Sequence, residues 1–159
     1  KWADFDLEAG IWTIPALDRK LLIKEKLNPE NYLIMPLPHQ VIAIIKELQC
    51  LSGNEKYLFP NQRRGKANPT MSENTINDAF ELLGFGETMT AHGVRATFST
   101  TLNERGYNSA LVDMQLGHKP KDKVESRYNR AEMIEQRKEM MQAYADILDE
   151  LRSATANPI

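Results

Sequence analysis

The sequence predicts a mainly α-helical domain with a small antiparallel β-sheet on one side, an α+β fold. Three observations predict it. Two short β-prone runs, Ile11-Trp12-Thr13-Ile14 and Tyr32-Leu33-Ile34-Met35, flank a lysine-rich stretch in the first third of the chain. From Pro38 onward the apolar residues change to helical spacing. Glycines then fall where the periodic runs end, at Gly53, Gly84, Gly106 and Gly117.

Taken in order, Trp2 to Pro15 alternates aromatic and acidic residues and ends in the strand Ile11–Ile14, stopped by Pro15. Residues 17 to 31 read as an extended hairpin loop holding Lys20, Lys24 and Lys26, and the returning strand is stopped by Pro36 and Pro38. Val41, Ile42, Ile44, Ile45 and Leu48 give the apolar face of a first helix that ends near Ser52-Gly53. Tyr57-Leu58-Phe59-Pro60 is a brief extended piece, and residues 61 to 69, with Arg63, Arg64 and Lys66, read as a mobile polar loop. Ser72 is placed to cap a second helix carrying Thr75, Ile76, Ala79, Phe80 and Leu82, which Gly84 and Gly86 end. Thr90 caps a third helix over about residues 91–105, stopped at Gly106. Asn108 or Ser109 opens a short fourth helix, closed by Gly117.

A further helical piece is expected around Tyr128. The last helix, Ala131 to Leu151, carries Met133, Met140, Tyr144, Ile147 and Leu151 at intervals of 7, 4, 3 and 4. A seam of that spacing docks either on its own core or on a neighbouring subunit. The spacing leaves both open.

At 159 residues the chain is expected to be one domain, residues 1–159, large enough to bury a core. Hydrophobic residues at 42% and charged residues at 26% describe an ordinary globular protein, and no apolar run approaches the roughly 20 residues of a membrane span. No membrane partner is expected. The start at Lys1-Trp2, already in strand-like sequence, predicts a piece of a longer protein. Cys50 has no partner for a disulfide, which fits a reducing cytoplasm, and reads as a buried or incidental thiol. The net charge of −2 argues mildly against nucleic acid. Its distribution argues less so, because basic residues gather at Lys20 to Lys26, at Arg63 to Lys66 and from Lys119 to Arg130.

The chemistry concentrates in Ala91-His92-Gly93-Val94-Arg95, Leu116-Gly117-His118 and Tyr128. His92 and Arg95, three apart on a helix, share a face. His118 follows a glycine at a helix end, and Tyr128 sits in a basic stretch. Singly, each has a plain structural reading: a surface histidine, an ion-pair arginine, a C-terminal cap, a packed ring. Together they supply cationic donors and an oxygen nucleophile with no evident metal-ligand set, which suits attack on a phosphodiester.

The series resembles the tyrosine recombinases, and more narrowly the phage- and pathogenicity-island-type integrases. Lys1 to Asp6, Ile11-Trp12-Thr13-Ile14-Pro15-Ala16 and Tyr32 to Pro38 are similar to the three strands of their catalytic domain. Tyr57-Leu58-Phe59-Pro60 and Met71-Ser72-Glu73-Asn74-Thr75 are typical of the subgroup. Thr90 to Thr97, Gln115-Leu116-Gly117-His118 and Tyr128-Asn129-Arg130-Ala131 complete the match, which spans nearly the whole chain.

The resemblance implies site-specific DNA recombination, the integration and excision of a mobile element, through a 3′-phosphotyrosyl intermediate and without cofactor or metal. It makes Tyr128 the nucleophile, Arg95 and His118 the phosphate ligands, and His92 the acid/base assistant. The proton donor to the leaving 5′-oxygen is a hairpin lysine. Lys20 fits first, because Asp18-Arg19-Lys20 follows Ile14-Pro15-Ala16 as in the family, and Lys24 and Lys26 are the alternatives. The implied partners are double-stranded attachment-site DNA and further copies of the protein, a tetramer on DNA.

The family's other phosphate-binding arginine lies upstream of the strand that begins here at Trp2, as do its N-terminal DNA-clamping modules. An isolated fragment lacking that arginine is expected to fold but cleave poorly, having lost about 3–4 kcal/mol of transition-state stabilisation. Type IB topoisomerases use similar chemistry, but the strand segments and residues 71–75 favour an integrase. The alternative reading is a DNA-binding regulatory or structural remnant of the same fold without cleavage activity.

Overall fold

The computed structural model describes residues 1–61, 68–118 and 130–156. Its three strands, Phe5–Asp6 (β1), Ile11–Ile14 (β2) and Leu33–Pro36 (β3), form an antiparallel sheet in the order β1-β2-β3. Trp12 is paired with Phe5 on one side and Met35 on the other, and the Phe5 and Trp12 rings stack at 5.3 Å. The first strand is shorter than the sequence suggests. Residues Trp2–Asp4 turn as a 3-10 helix, with the Asp4 N–H donating to the Lys1 carbonyl at 3.1 Å. The Trp2 indole N–H donates to the Ser52 carbonyl at 2.7 Å.

The stretch between β2 and β3 is not a bare loop. It winds through 3-10 turns at Ala16–Asp18 and Pro29–Asn31 and a single helical turn, Ile23–Lys26 (α1). Local bonds explain the difference. The Glu25 carboxylate accepts from the Leu22 N–H, the Asn28 side chain accepts from the Glu30 N–H, and Pro29 opens the second 3-10 turn.

The remaining helices are His39–Ser52 (α2), Thr75–Leu82 (α3), Ala91–Glu104 (α4), Ser109–Gln115 (α5) and Arg130–Ala156 (α6). The core lies between α4, α5 and α6, where Phe98, Leu102, Leu111, Val112, Met133 and Met140 are buried together. Tyr144 meets Phe98 edge-on at 4.9 Å, a favoured geometry for two rings. Three of the seam residues of α6, Met133, Met140 and Ile147, are therefore buried within this chain, whereas Leu151 is exposed.

Two local expectations fail. Ser72 does not cap α3. Its hydroxyl accepts from the Asn74 N–H at 3.3 Å, closing a turn before the helix, which starts at Thr75. On α2 only Ile45 of the apolar face is buried, and Ile44 points to solvent. Cys50 is exposed, which leaves the second of its two readings, an incidental thiol. Among the described residues, no helix is long and apolar enough to cross a membrane.

Candidate active site

The site is built on the ends of two helices. The first turn of α4 is capped twice: Thr90 Oγ1 accepts from the Gly93 N–H, and Asn77 Oδ1, reaching over from α3, accepts from the Ala91 N–H, each at 2.9 Å. His92 sits in that turn and Arg95 in the next, both exposed.

The end of α5 is closed by a left-handed glycine. Gly117 has φ +75°, its N–H donates to the Met114 carbonyl, and the His118 N–H donates to the Asp113 carbonyl at 2.9 Å. This pair of bonds brings the side chains of residues 113 and 118 alongside each other. In most helix ends of this kind an apolar contact fills that position. Here the His118 Nδ1 meets the Asp113 carboxylate at 2.9 Å instead. A ring held through Nδ1 turns its Nε2 outward, the orientation a ligand-binding imidazole needs.

The two helix ends meet. The Arg95 Nη2 donates to the Leu116 carbonyl at 2.6 Å, so the guanidinium lies against the turn that carries His118. The hairpin reaches the same turn. Arg19 donates from Nη2 to the Gly117 carbonyl at 3.4 Å and from Nη1 to the Asn31 carbonyl at 2.7 Å. Neighbouring Lys20 is exposed. Lys24 and Lys26 stand farther along the hairpin, on the last turn of α1. Arg95 and His118 are thus gathered at one turn, with His92 a helical turn from Arg95 and the base of the lysine hairpin tied alongside. Tyr128 lies outside the described residues, as does the basic loop of residues 62–67.

Four residues of this arrangement escape a reading of the sequence. Asp113 and Arg19 are invisible as orienting groups until the α5 turn is folded. Asn77 is a surface polar residue by pattern, and its capping role depends on how α3 meets α4. Arg137 is the fourth: it is buried on α6, and desolvation pulls its guanidinium down to about 10. It donates to Gln115 Oε1 at 2.9 and 2.6 Å, and to the Ile34 carbonyl at 2.8 Å. The only trace of Arg137 in the sequence is its place on the buried side of the α6 seam, midway between Met133 and Met140. No group of three His, Cys, Asp or Glu side chains suited to a metal ion occurs among the described residues.

A model of the phage integrase family matches residues 1–135. The chain belongs to the phage integrase family. It is 34% identical to Prophage integrase IntA of Escherichia coli (strain K12) over 148 residues, covering 93% of this chain and 33% of that protein. It is 32% identical to Prophage integrase IntZ of the same strain over 160 residues, 100% of this chain and 37% of that protein. The integrase of Enterobacteria phage P4 is 31% identical over 160 residues, 94% of this chain and 35% of that protein. The chain therefore spans about a third of the length of these curated relatives. No solved structure matches. The tyrosine-recombinase resemblance and the α+β fold read from the sequence both hold for this integrase-family domain.

Proposed function

We propose that this integrase-family domain, residues 1–159, breaks and rejoins DNA at the attachment sites of a mobile element by way of a phosphotyrosyl intermediate. The Tyr128 oxygen attacks the scissile phosphorus and a new P–O bond forms. The bond to the 5′-oxygen breaks, leaving the phosphate joined 3′ to the tyrosine and a free 5′-hydroxyl. The energy of the phosphodiester is kept in the new ester, so rejoining needs no nucleotide.

Charge growing on the non-bridging oxygens must be met by donors already in place. Arg95 uses one N–H on the Leu116 carbonyl, and the rest of its planar fork is suited to a phosphate. His118 adds a donor through Nε2, while His92 handles the phenol proton, since a free phenol with a pKa near 10 is a weak nucleophile. Lys20 delivers the proton to the leaving oxygen. The observation that carries this reading is the contact between Arg95 and the turn holding His118. It joins the two proposed phosphate ligands at an open surface, where a duplex has access.

Double-stranded DNA is the proposed substrate, and copies of the protein assemble on it as a tetramer. The exposed Leu148 and Leu151, beyond the self-buried part of the α6 seam, support such an assembly. A nicked suicide substrate, which loses a short strand on cleavage, tests the reading on the intact protein. A covalent protein–DNA adduct is expected, and it should vanish in Tyr128→Phe. In Lys20→Ala the adduct should be lost, and a substrate with a 5′-bridging sulfur, whose thiolate leaves without a proton, should restore it. Failure of that rescue moves the role to Lys24 or Lys26.

A further inference from the structure

Gln115 opens the segment that ends in His118, and Arg137 is the side chain that grips it. Both are buried, with Arg137 2% exposed and Gln115 4%. The guanidinium bridges three elements: Nε and Nη2 both reach Gln115 on α5, while Nη2 also reaches the Ile34 carbonyl of β3 and lies 3.6 Å from the Met35 sulfur. Among the described residues, no carboxylate is in contact with it. A buried cation that meets only neutral acceptors adds little to stability that apolar side chains of the same volume could not add. What it does add is direction, since a planar fork fixes both the distance and the angle between the elements it bridges.

The bridged elements matter. α5 ends at Gln115 and passes into the turn whose successive carbonyls, Leu116 and Gly117, receive Arg95 and Arg19. α6 begins at Arg130, two residues after Tyr128. We infer that Arg137 is a positioning residue: acting through Gln115, it sets the α5 turn that carries His118 in register with α6, the helix that follows the proposed nucleophile. The inference rests on the recombinase reading for its chemical consequence, but the tether itself can be tested without DNA.

The chain offers an internal control. α4 ends in a turn of the same type, with Gly106 at φ +80° and the Tyr107 N–H donating to the Leu102 carbonyl at 3.1 Å, and Arg137 does not touch it. Hydrogen exchange of the amides of Gly117 and His118 is compared with that of Gly106 and Tyr107 in the 159-residue chain. The variants are Arg137→Lys, which keeps the charge but not the planar fork, and Arg137→Met paired with Gln115→Met, which removes both side chains of the pair and leaves only the Ile34 carbonyl without its donor. Whichever of these melts cooperatively decides the matter.

The expected result is that exchange at Gly117 and His118 rises at least about tenfold while the α4 turn changes less than about twofold. In the intact protein the same variants should form the DNA adduct at least about tenfold more slowly with DNA affinity held within about twofold. Equal responses of the two turns, or no response of either, overturns the tether, because a merely structural arginine acts on both turns through global stability. Absence of any tyrosyl adduct from the wild-type protein overturns the recombinase reading instead, and the exchange comparison separates that failure from failure of the tether.

Discussion

The Arg95 guanidinium and the Leu116 carbonyl oxygen are 2.6 Å apart, although 21 residues separate them in the chain. The contact joins the exposed face of α4 to the turn that ends α5. It means that Arg95 does not hang freely from its helix: one edge of the guanidinium is anchored, and the preorganisation of the other edge follows. A preorganised donor costs no reorganisation when charge develops on a phosphate, and such donors dominate electrostatic catalysis.

Arg95→Ala should therefore reduce covalent adduct formation about 100- to 1000-fold, the usual effect of losing one transition-state donor. DNA affinity should fall little, because affinity for a duplex comes from many distributed phosphate contacts. Single-turnover cleavage and a binding titration at fixed salt check this. A parallel loss of binding contradicts it.

Asp113→Ala should have a smaller effect. The His118–Asp113 pair is solvent-facing, so its orientation of the ring is worth about 1 kcal/mol at most. That corresponds to a fall of about fivefold in the rate of adduct formation. An unchanged rate shows that ring orientation does not depend on the carboxylate.

Gly117→Ala should destabilise the domain. The left-handed backbone at φ +75° disfavours any Cβ, and a Cβ here would also lie 3.2 Å from Leu33 Cδ2. The conformational part alone is about 1–2 kcal/mol, a fall in melting temperature of about 2–8 °C. A melting temperature equal to wild type contradicts the turn described here.

The parts of this molecule that the sequence made legible are those decided by a few adjacent residues. Thr90 is recognisable as a cap, and Asn108 too, since each side chain bonds a backbone N–H within three residues. Gly106 and Gly117 are recognisable as stops because each takes the left-handed backbone that ends the helix just before it. Of the site, His92, Arg95 and His118 could be named in advance, and the gathering of Arg95 with His118 could only be expected. Arg19, Gln115 and Arg137 stayed hidden because their partners lie between 12 and 103 residues away. Ser72 misled, because a serine near a helix start can close a turn as readily as cap a helix, and nothing in the local sequence chooses between them.

A pH dependence follows from the junction of α2 with α6. Hydrogen bonds from Gln40 and Gln142, at 2.9 and 2.8 Å, hold the exposed Asp146 carboxyl below its ordinary value of 3.8. Because the folded value is the lower one, the carboxylate's contribution is complete above the unfolded value and is lost as pH falls through the folded value. Gln40→Leu should accordingly lower the urea midpoint at pH 6, and its difference from wild type should shrink as pH drops below about 4. A difference that is constant from pH 6 to pH 2 contradicts this assignment.

The central claim is that the oxygen of one tyrosine takes the DNA phosphate, and peptide mapping of the trapped adduct tests it most directly. After digestion with protease and nuclease, the mass spectrum should show a nucleotide linked through its 3′-phosphate to the peptide containing residue 128, with fragmentation placing it on Tyr128. A nucleotide on Tyr107, Tyr144 or any other side chain, or an adduct formed undiminished by Tyr128→Phe, would contradict it.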